Sequence, residues 1–195
     1  MTRLAAVVLA AGASTRMGRP KALLRWRGRP FVLHAIELAR VAGAKTIVVV
    51  EGAVPLPDDA LGGSTRARNE AWAEGPLGSL QCGLRAATAA QPGASVMVLT
   101  VDRPHIDPGT VTALAAACEA DPQAVWQPRH GERRGHPIVY PADLALEICA
   151  LQPPQTPRDL LSRPAVAARR RQIEVNDSTV LDNLDRPEDL DRLPP

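Results

Sequence analysis

The stretch Leu4-Ala-Ala-Val-Val-Leu-Ala-Ala-Gly-Ala-Ser-Thr-Arg-Met-Gly-Arg-Pro-Lys21 decides the fold. Its first seven residues are continuously apolar and of strand length. Unbroken rather than alternating hydrophobicity predicts a strand buried on both faces, as in a parallel sheet. Small residues end it at Ala10, Ala11 and Gly12, and a polar loop carrying Arg16, Gly18 and Lys21 follows. Beyond the loop the same grammar repeats. Helical spacing runs from Pro30 to Val41, and Thr46 to Val50 is a second apolar run, with Arg66 to Asn69 a short third strand. A helix is expected from Gly75 to Ala90, a central strand from Val96 to Val101, and a helix from Pro108 to Glu119 with Asp107 as its N-cap. Shorter strands are expected at Ala124 to Gln127, Ile138 to Tyr140 and Gln172 to Val175, with a helix at Asp143 to Leu151.

Alternation of strand and helix predicts a single Rossmann-like α/β domain over residues 1–195, three layers deep (α/β/α), around a mainly parallel mixed sheet. Such sheets take ligands at the carboxyl ends of their strands. Two polar groups fall there: the loop after the first strand, and Asp102 after the run Val96-Met-Val-Leu-Thr-Val101. Bulk composition agrees with a globular domain, at 45% hydrophobic and 23% charged residues. Aromatic content of 3% and a net charge of +2 argue against a nucleic-acid partner, which needs stacking faces or a broad basic field. No apolar run is long enough for a membrane span, and the start lacks a signal-peptide pattern. Cys82, Cys118 and Cys149 form no paired motif and are expected to be reduced, so a cytoplasmic location is expected.

Chemistry concentrates in the first loop. Leu9, Ala10, Ala11, Gly12, Ala13, Ser14, Thr15, Arg16, Met17 and Gly18 can bring backbone N–H groups close to phosphate oxygens, with Arg16 and Lys21 supplying charge. An ordinary strand-to-helix turn with solvated basic residues would look similar. A Walker A loop is excluded because Arg19 and Pro20 follow Gly18, and a dinucleotide loop because Ser14 replaces its second glycine. Asp102 is costly at the end of a buried run unless it is paired or holds a cation.

These residues carry a resemblance. Leu9 to Lys21 is similar to the signature loop of the nucleotidyltransferase superfamily (Leu-Ala-Ala-Gly-x-Ser/Gly-x-Arg-Met/Leu-Gly-x-x-Lys), and within it to the molybdenum cofactor cytidylyltransferase group. Asn69 to Gly83, Asp102 to His105, Gly135-His-Pro137 and Leu184 to Leu190 follow in the group's order. The resemblance implies a fold of the nucleotide-diphospho-sugar transferase type and Mg²⁺ held by Asp102 and Asp185. It implies Arg16, Lys21 and Asp102 as catalytic residues, Gly78 and Ser79 at the base, and His136 on the acceptor side. It also implies transfer of CMP from CTP to a phosphorylated acceptor such as molybdopterin, with release of pyrophosphate. A molybdoenzyme or chaperone receiving the product is the implied protein partner.

Guanylyl transfer from GTP is the alternative; relatives of that kind usually carry Leu-Ala-Gly-Gly. A methylerythritol phosphate cytidylyltransferase shares the loop but is usually longer, with a protruding arm. A glycosyltransferase would show Asp-x-Asp where Asp102-Arg103-Pro104 stands, and a silent nucleotide-binding protein would leave no pyrophosphate. Arg103 replaces the commoner Gln. Pro154 to Asp159 replaces a glycine-bearing stretch, which leaves Arg158 and Asp159 in place. The run Arg169 to Arg171 is expected to be solvated, and Trp26, Trp72 and Trp126 to serve in packing.

Overall fold

A computed structural model describes residues 3–194. Strand β1 (Leu4–Leu9) leads through the small-residue loop to a hairpin, β2 (Arg25–Trp26) and β3 (Arg29–Pro30), and to helix α1 (Phe31–Val41). Next come β4 (Thr46–Glu51), β5 (Thr65–Arg68), α2 (Pro76–Ala90), β6 (Ser95–Thr100), α3 (Pro108–Ala120) and β7 (Val125–His130). Then follow β8 (Arg133–Arg134), β9 (Ile138–Tyr140), α4 (Ala142–Ala150), α5 (Pro157–Ser162), α6 (Pro164–Ala167) and β10 (Arg170–Glu174), and 3-10 turns at Ser178–Leu181 and Pro187–Arg192.

The main sheet has the order β10-β7-β9-β6-β1-β4-β5, with β8 paired to β7. β1 runs parallel to both β4 and β6, whereas β9 is antiparallel to β6 and β7. Both faces of β1 are covered, which explains its unbroken hydrophobicity. Ala6 and Val8 pack with Val32, Ile36 and Leu114 from α1 and α3. Ala5 and Val7 pack with Leu84, Leu144 and Ile148 from α2 and α4. A small third core of Met17, Leu24, Phe31 and Leu184 fastens the first loop to the C-terminal segment.

Helix α2 lies unusually close to the sheet because Gly83 faces it. A Cβ there would fall 2.7 Å from Val50 Cγ2 and closer still to Val7 Cγ1. Backbone-to-strand packing this tight leaves no slack in a close-packed interior. Gly83→Ala is therefore expected to cost about 1–3 kcal/mol by overpacking, read as a lowered denaturation midpoint at an unchanged m value.

Two expectations were incomplete. The β2–β3 hairpin was not foreseen, since its strands are two residues each; Arg27 and Gly28 supply the positive φ angles, 48° and 76°, that its tight turn needs. Pro154 to Asp159, read only for its divergence, leads into α5, and α6 follows it. Asp159 there accepts from the Thr156 backbone N–H at 2.7 Å and Thr156 caps Asp159 in return, so this acid is spent on a helix start.

Candidate nucleotide-binding site

The carboxyl ends of β1, β4 and β6 open into a cavity of about 480 Å³, within the range of small-molecule sites. Leu9 to Arg16 form one rim and Lys21, Asp102 and Asp185 a polar wall. The first loop is braced from within. Ser14 sits in the left-handed region at φ 56°, costly for a residue with a Cβ, and its hydroxyl accepts from the Lys21 N–H at 3.0 Å. Gly18 closes the turn at φ 73°.

Opposite the loop, Val54, Leu56, Trp72, Ala73, Pro76 and Ser79 form a less polar side suited to a base. Gly52 permits the closure. A Cβ there would meet the Ala11 carbonyl at 2.8 Å and Trp72 Cβ at 2.6 Å. The neighbouring Ala53 N–H donates to Ala11 O at 3.1 Å. Buried Glu51 accepts from the Leu56 N–H at 2.8 Å and pairs with Arg66, which fixes the segment holding Val54 and Leu56. Asn69 Nδ2 donates to Ser79 Oγ at 2.9 Å and orients that hydroxyl.

Both candidate metal ligands stand on the polar wall, and the Leu184 N–H ties them together by donating to Asp102 O at 3.1 Å. Asp102 Oδ1 accepts from Thr100 Oγ1 at 2.5 Å and from Arg103 Nη1 at 2.8 Å. Asp185 pairs with the Lys21 ammonium and with Arg16 Nη2 at 2.9 Å. Burial pushes the Asp185 carboxyl up, but the Lys21 hydrogen bond and charge, aided by Arg16, outweigh it and hold it below the usual carboxylate range. Asp185 does not cap the helical turn that follows it. That task falls to Asp189, whose Oδ2 accepts from the Asp185 and Arg186 N–H groups, each at 2.8 Å.

Not every residue expected at the site lines the cavity. Met17 turns into the third core at 3% exposure, so its side chain packs and only its backbone belongs to the loop. Gly18 and Gly78 lie outside the lining, one as the turn and the other in the first turn of α2 beside Asn69. His136 is likewise outside it. Its ring is half-buried near Asp102 and Arg103, with Nδ1 enclosed and without a hydrogen-bond partner. Trp72, expected to pack, does so but also lines the cavity; Trp126 packs in the core and Trp26 lies 4.8 Å from His34, ring to ring. Thr100, Val54 and Leu56 were missed. Thr100 ends a strand where a hydroxyl beside Asp102 was the available signal.

Burial first, then the Arg103 charge, lowers the His136 pKa to about 4 from 6.5, against the opposing pull of Asp102. The folded protein therefore resists a proton that the unfolded chain accepts below pH 6.5. Relative to His136→Gln, stability should fall as pH drops from 6.5 to about 4 and then level off. At about 1.4 kcal/mol per pH unit the full loss is about 3 kcal/mol, measurable by denaturant titrations across that window.

A small-residue loop that shares one cavity with two carboxylates and two cations is the arrangement a nucleotidyltransferase needs. The chain belongs to the MobA-like NTP transferase family, whose domain matches residues 6–171. A probable molybdenum cofactor guanylyltransferase of Opitutus terrae is 34% identical over 97% of this chain and 94% of its own. A nicotine blue oxidoreductase of Paenarthrobacter nicotinovorans is 35% identical over 71% of each chain. In fold, Rv0371c of Mycobacterium tuberculosis superposes with a TM-score of 0.77 at 23% identity, covering 98% of this chain and 97% of that one. A CMP-2-keto-3-deoxy-manno-octonic acid synthetase solved with CTP gives 0.70 at 18% identity, covering 98% and 96%. Among the described residues no helix is long and apolar enough to cross a membrane.

Proposed function

We propose that this protein transfers a nucleoside monophosphate from an NTP to the phosphate of a molybdopterin-type acceptor. The observation that supports this best is the polar wall, where two carboxylates and two phosphate-seeking cations face a small-residue loop across one cavity. The favoured nucleotide is GTP, because relatives at 34% and 33% identity are named molybdenum cofactor guanylyltransferases. That displaces the CTP preference expected from the Leu-Ala-Ala-Gly loop.

In the reaction an acceptor phosphate oxygen attacks the α-phosphorus in line. The new P–O bond forms as the bond to the bridging oxygen breaks, and pyrophosphate carries off the electron pair. Two anions must meet, so orientation and charge neutralisation carry the catalysis. Lys21 and Arg16 turn from Asp185 to the β- and γ-phosphates and stabilise the leaving group. Backbone N–H groups from Gly12 to Gly18 cup the same oxygens. Trp72 and Pro76 flank the base, and His136, neutral at pH 7, borders the acceptor side.

The donor set fits Mg²⁺. Asp102 and Asp185 bring two carboxylates to one wall. That leaves room for the phosphate oxygens and waters this ion prefers. Bound with the nucleotide, it would supply charge neutralisation at the reacting phosphate. Arg103 keeps Asp102 aimed at that position.

A pyrophosphate-release screen of four NTPs against molybdopterin, methylerythritol phosphate and common sugar phosphates tests the reading. Release with molybdopterin, fastest with GTP, is expected. CTP as the fastest substrate would restore the cytidylyl assignment. Substrate oxidation without pyrophosphate would align the chain with its oxidoreductase-named relative and end the proposal.

A further inference from the structure

Asp185 stands outside every helix and strand, between the 3-10 turns at Ser178–Leu181 and Pro187–Arg192. No ladder of hydrogen bonds fixes its backbone. From the C-terminal side Asp189 Oδ2 accepts its N–H at 2.8 Å. From the N-terminal side its place on the polar wall depends on how residues 178–184 are tied down. Two backbone bonds do part of this: the His136 N–H donates to Val180 O at 2.9 Å, and the Leu184 N–H to Asp102 O at 3.1 Å. A side-chain pair does the rest. His105 Nε2 lies 2.8 Å from Asp182 Oδ2, with the histidine side chain 0% exposed and that of Asp182 28%. The other Asp182 oxygen is 4.0 Å from Arg192 Nη1, too far to direct the segment.

The imidazole is an expensive way to fill this space. Its Nδ1 is buried without a hydrogen-bond partner, so among the described residues Asp182 is the ring's one polar tie. With Nδ1 bare, the hydrogen that the carboxylate accepts is the one on Nε2. The ring stands edge-on to Trp26, their centroids 6.4 Å apart. An apolar side chain of similar size would pack against the indole without stranding a nitrogen, so packing alone does not account for a histidine here. What the histidine adds is a directed bond across the site. It starts three residues after Asp102 and ends three residues before Asp185. A metal ligand on irregular backbone needs such outside support to hold its geometry.

We infer that His105 and Asp182 are positioning residues: their bond sets the segment 182–185 so that Asp185 reaches the divalent ion beside Asp102. This rests on the reading above in which both carboxylates hold that ion, so the test reads ligand and support separately. Binding of a non-hydrolysable GTP analogue is measured by calorimetry with and without Mn²⁺. The readout is the gain in affinity that the ion confers. Asp182→Ala should cut that gain about tenfold or more, the usual loss when the support of a metal ligand is removed, and leave metal-free binding within about twofold. Asp182→Asn, whose amide oxygen still accepts from His105 Nε2, should keep the gain. Asp185→Asn should lose it alone, and adding Asp182→Ala should then change nothing further, because the effect runs through Asp185. Asp182 is partly exposed, so the alanine variant is expected to fold; Asp182→Ser, too short to reach the ring, repeats the comparison if it does not. A full gain in Asp182→Ala beside a lost one in Asp185→Asn would overturn the proposal and leave the metal reading standing. A full gain in Asp185→Asn, or none in the wild type, would bring down both. An asparagine variant as impaired as the alanine one would assign the effect to the Asp182 charge and likewise overturn the positioning role.

Discussion

Asp102→Asn should lower pyrophosphate release by two to three orders of magnitude while the protein stays folded. The amide oxygen can still accept from Thr100 Oγ1 and Arg103 Nη1, the two groups that hold Asp102 in place. What disappears is the negative charge. Losing one preorganised electrostatic group typically costs about 3–4 kcal/mol of transition-state stabilisation, about 10²–10³ in rate. Conserved folding matters here, because Arg103 is only 13% exposed and a shorter replacement would strand a half-buried cation. A variant with near-normal kcat would remove Asp102 from the mechanism. One with lost activity and a collapsed melting transition would make it a structural partner of Arg103.

The second large effect is expected at Lys21. Its ammonium sits against Asp185, and the side chain is 14% exposed. Lys21→Gln removes a cation that the proposed reaction assigns to the departing pyrophosphate, so kcat should fall about 100-fold. Stability should change by about 1 kcal/mol or less, since Arg16 remains on Asp185 and the Lys21 backbone still donates to Ser14 Oγ. Single-turnover rates beside denaturant titrations separate the two quantities. A large loss of stability with unchanged kcat would reduce Lys21 to a tie between the loop and the C-terminal segment.

Both variants probe one feature of the wall. Its two carboxylates are matched by three cations, Arg103 on Asp102 and Lys21 with Arg16 on Asp185. In the proposed reaction Lys21 and Arg16 exchange Asp185 for phosphate while Arg103 stays on Asp102, and the divalent ion would offset the charge left on Asp185.

Much of this was legible in the sequence because the relevant signals are local. The strands announce themselves as apolar runs, since β1, β4 and β6 are buried on both faces, and their predicted ends fall within a residue or two of those observed. Asp107 caps α3 as expected, accepting from the Gly109 N–H at 2.6 Å. The missed features depend on pairing across the chain. Lys21 meets Asp185 over 164 residues, and nothing in the spacing of either reveals it. Asp185 itself could be singled out from its acidic neighbours only by resemblance, because Asp189 carries an equal charge and does the capping. Met17 read as part of a binding loop because the motif is contiguous, whereas its side chain turns away from the ligand side. The arginine run at 169–171 was expected to be solvated, yet Arg169 pairs with Asp143 and Arg170 enters the sheet face.

The central claim is that the turn closing β1 cups a triphosphate while Asp102 and Asp185 hold its divalent ion. The most direct measurement is a crystal structure with a non-hydrolysable GTP analogue and Mn²⁺, read in the anomalous map. An ion peak contacting both carboxylates, with the phosphates against residues 12–18, is the expected result. A peak elsewhere, or Asp185 still locked to Lys21 with the nucleotide bound, would contradict the account.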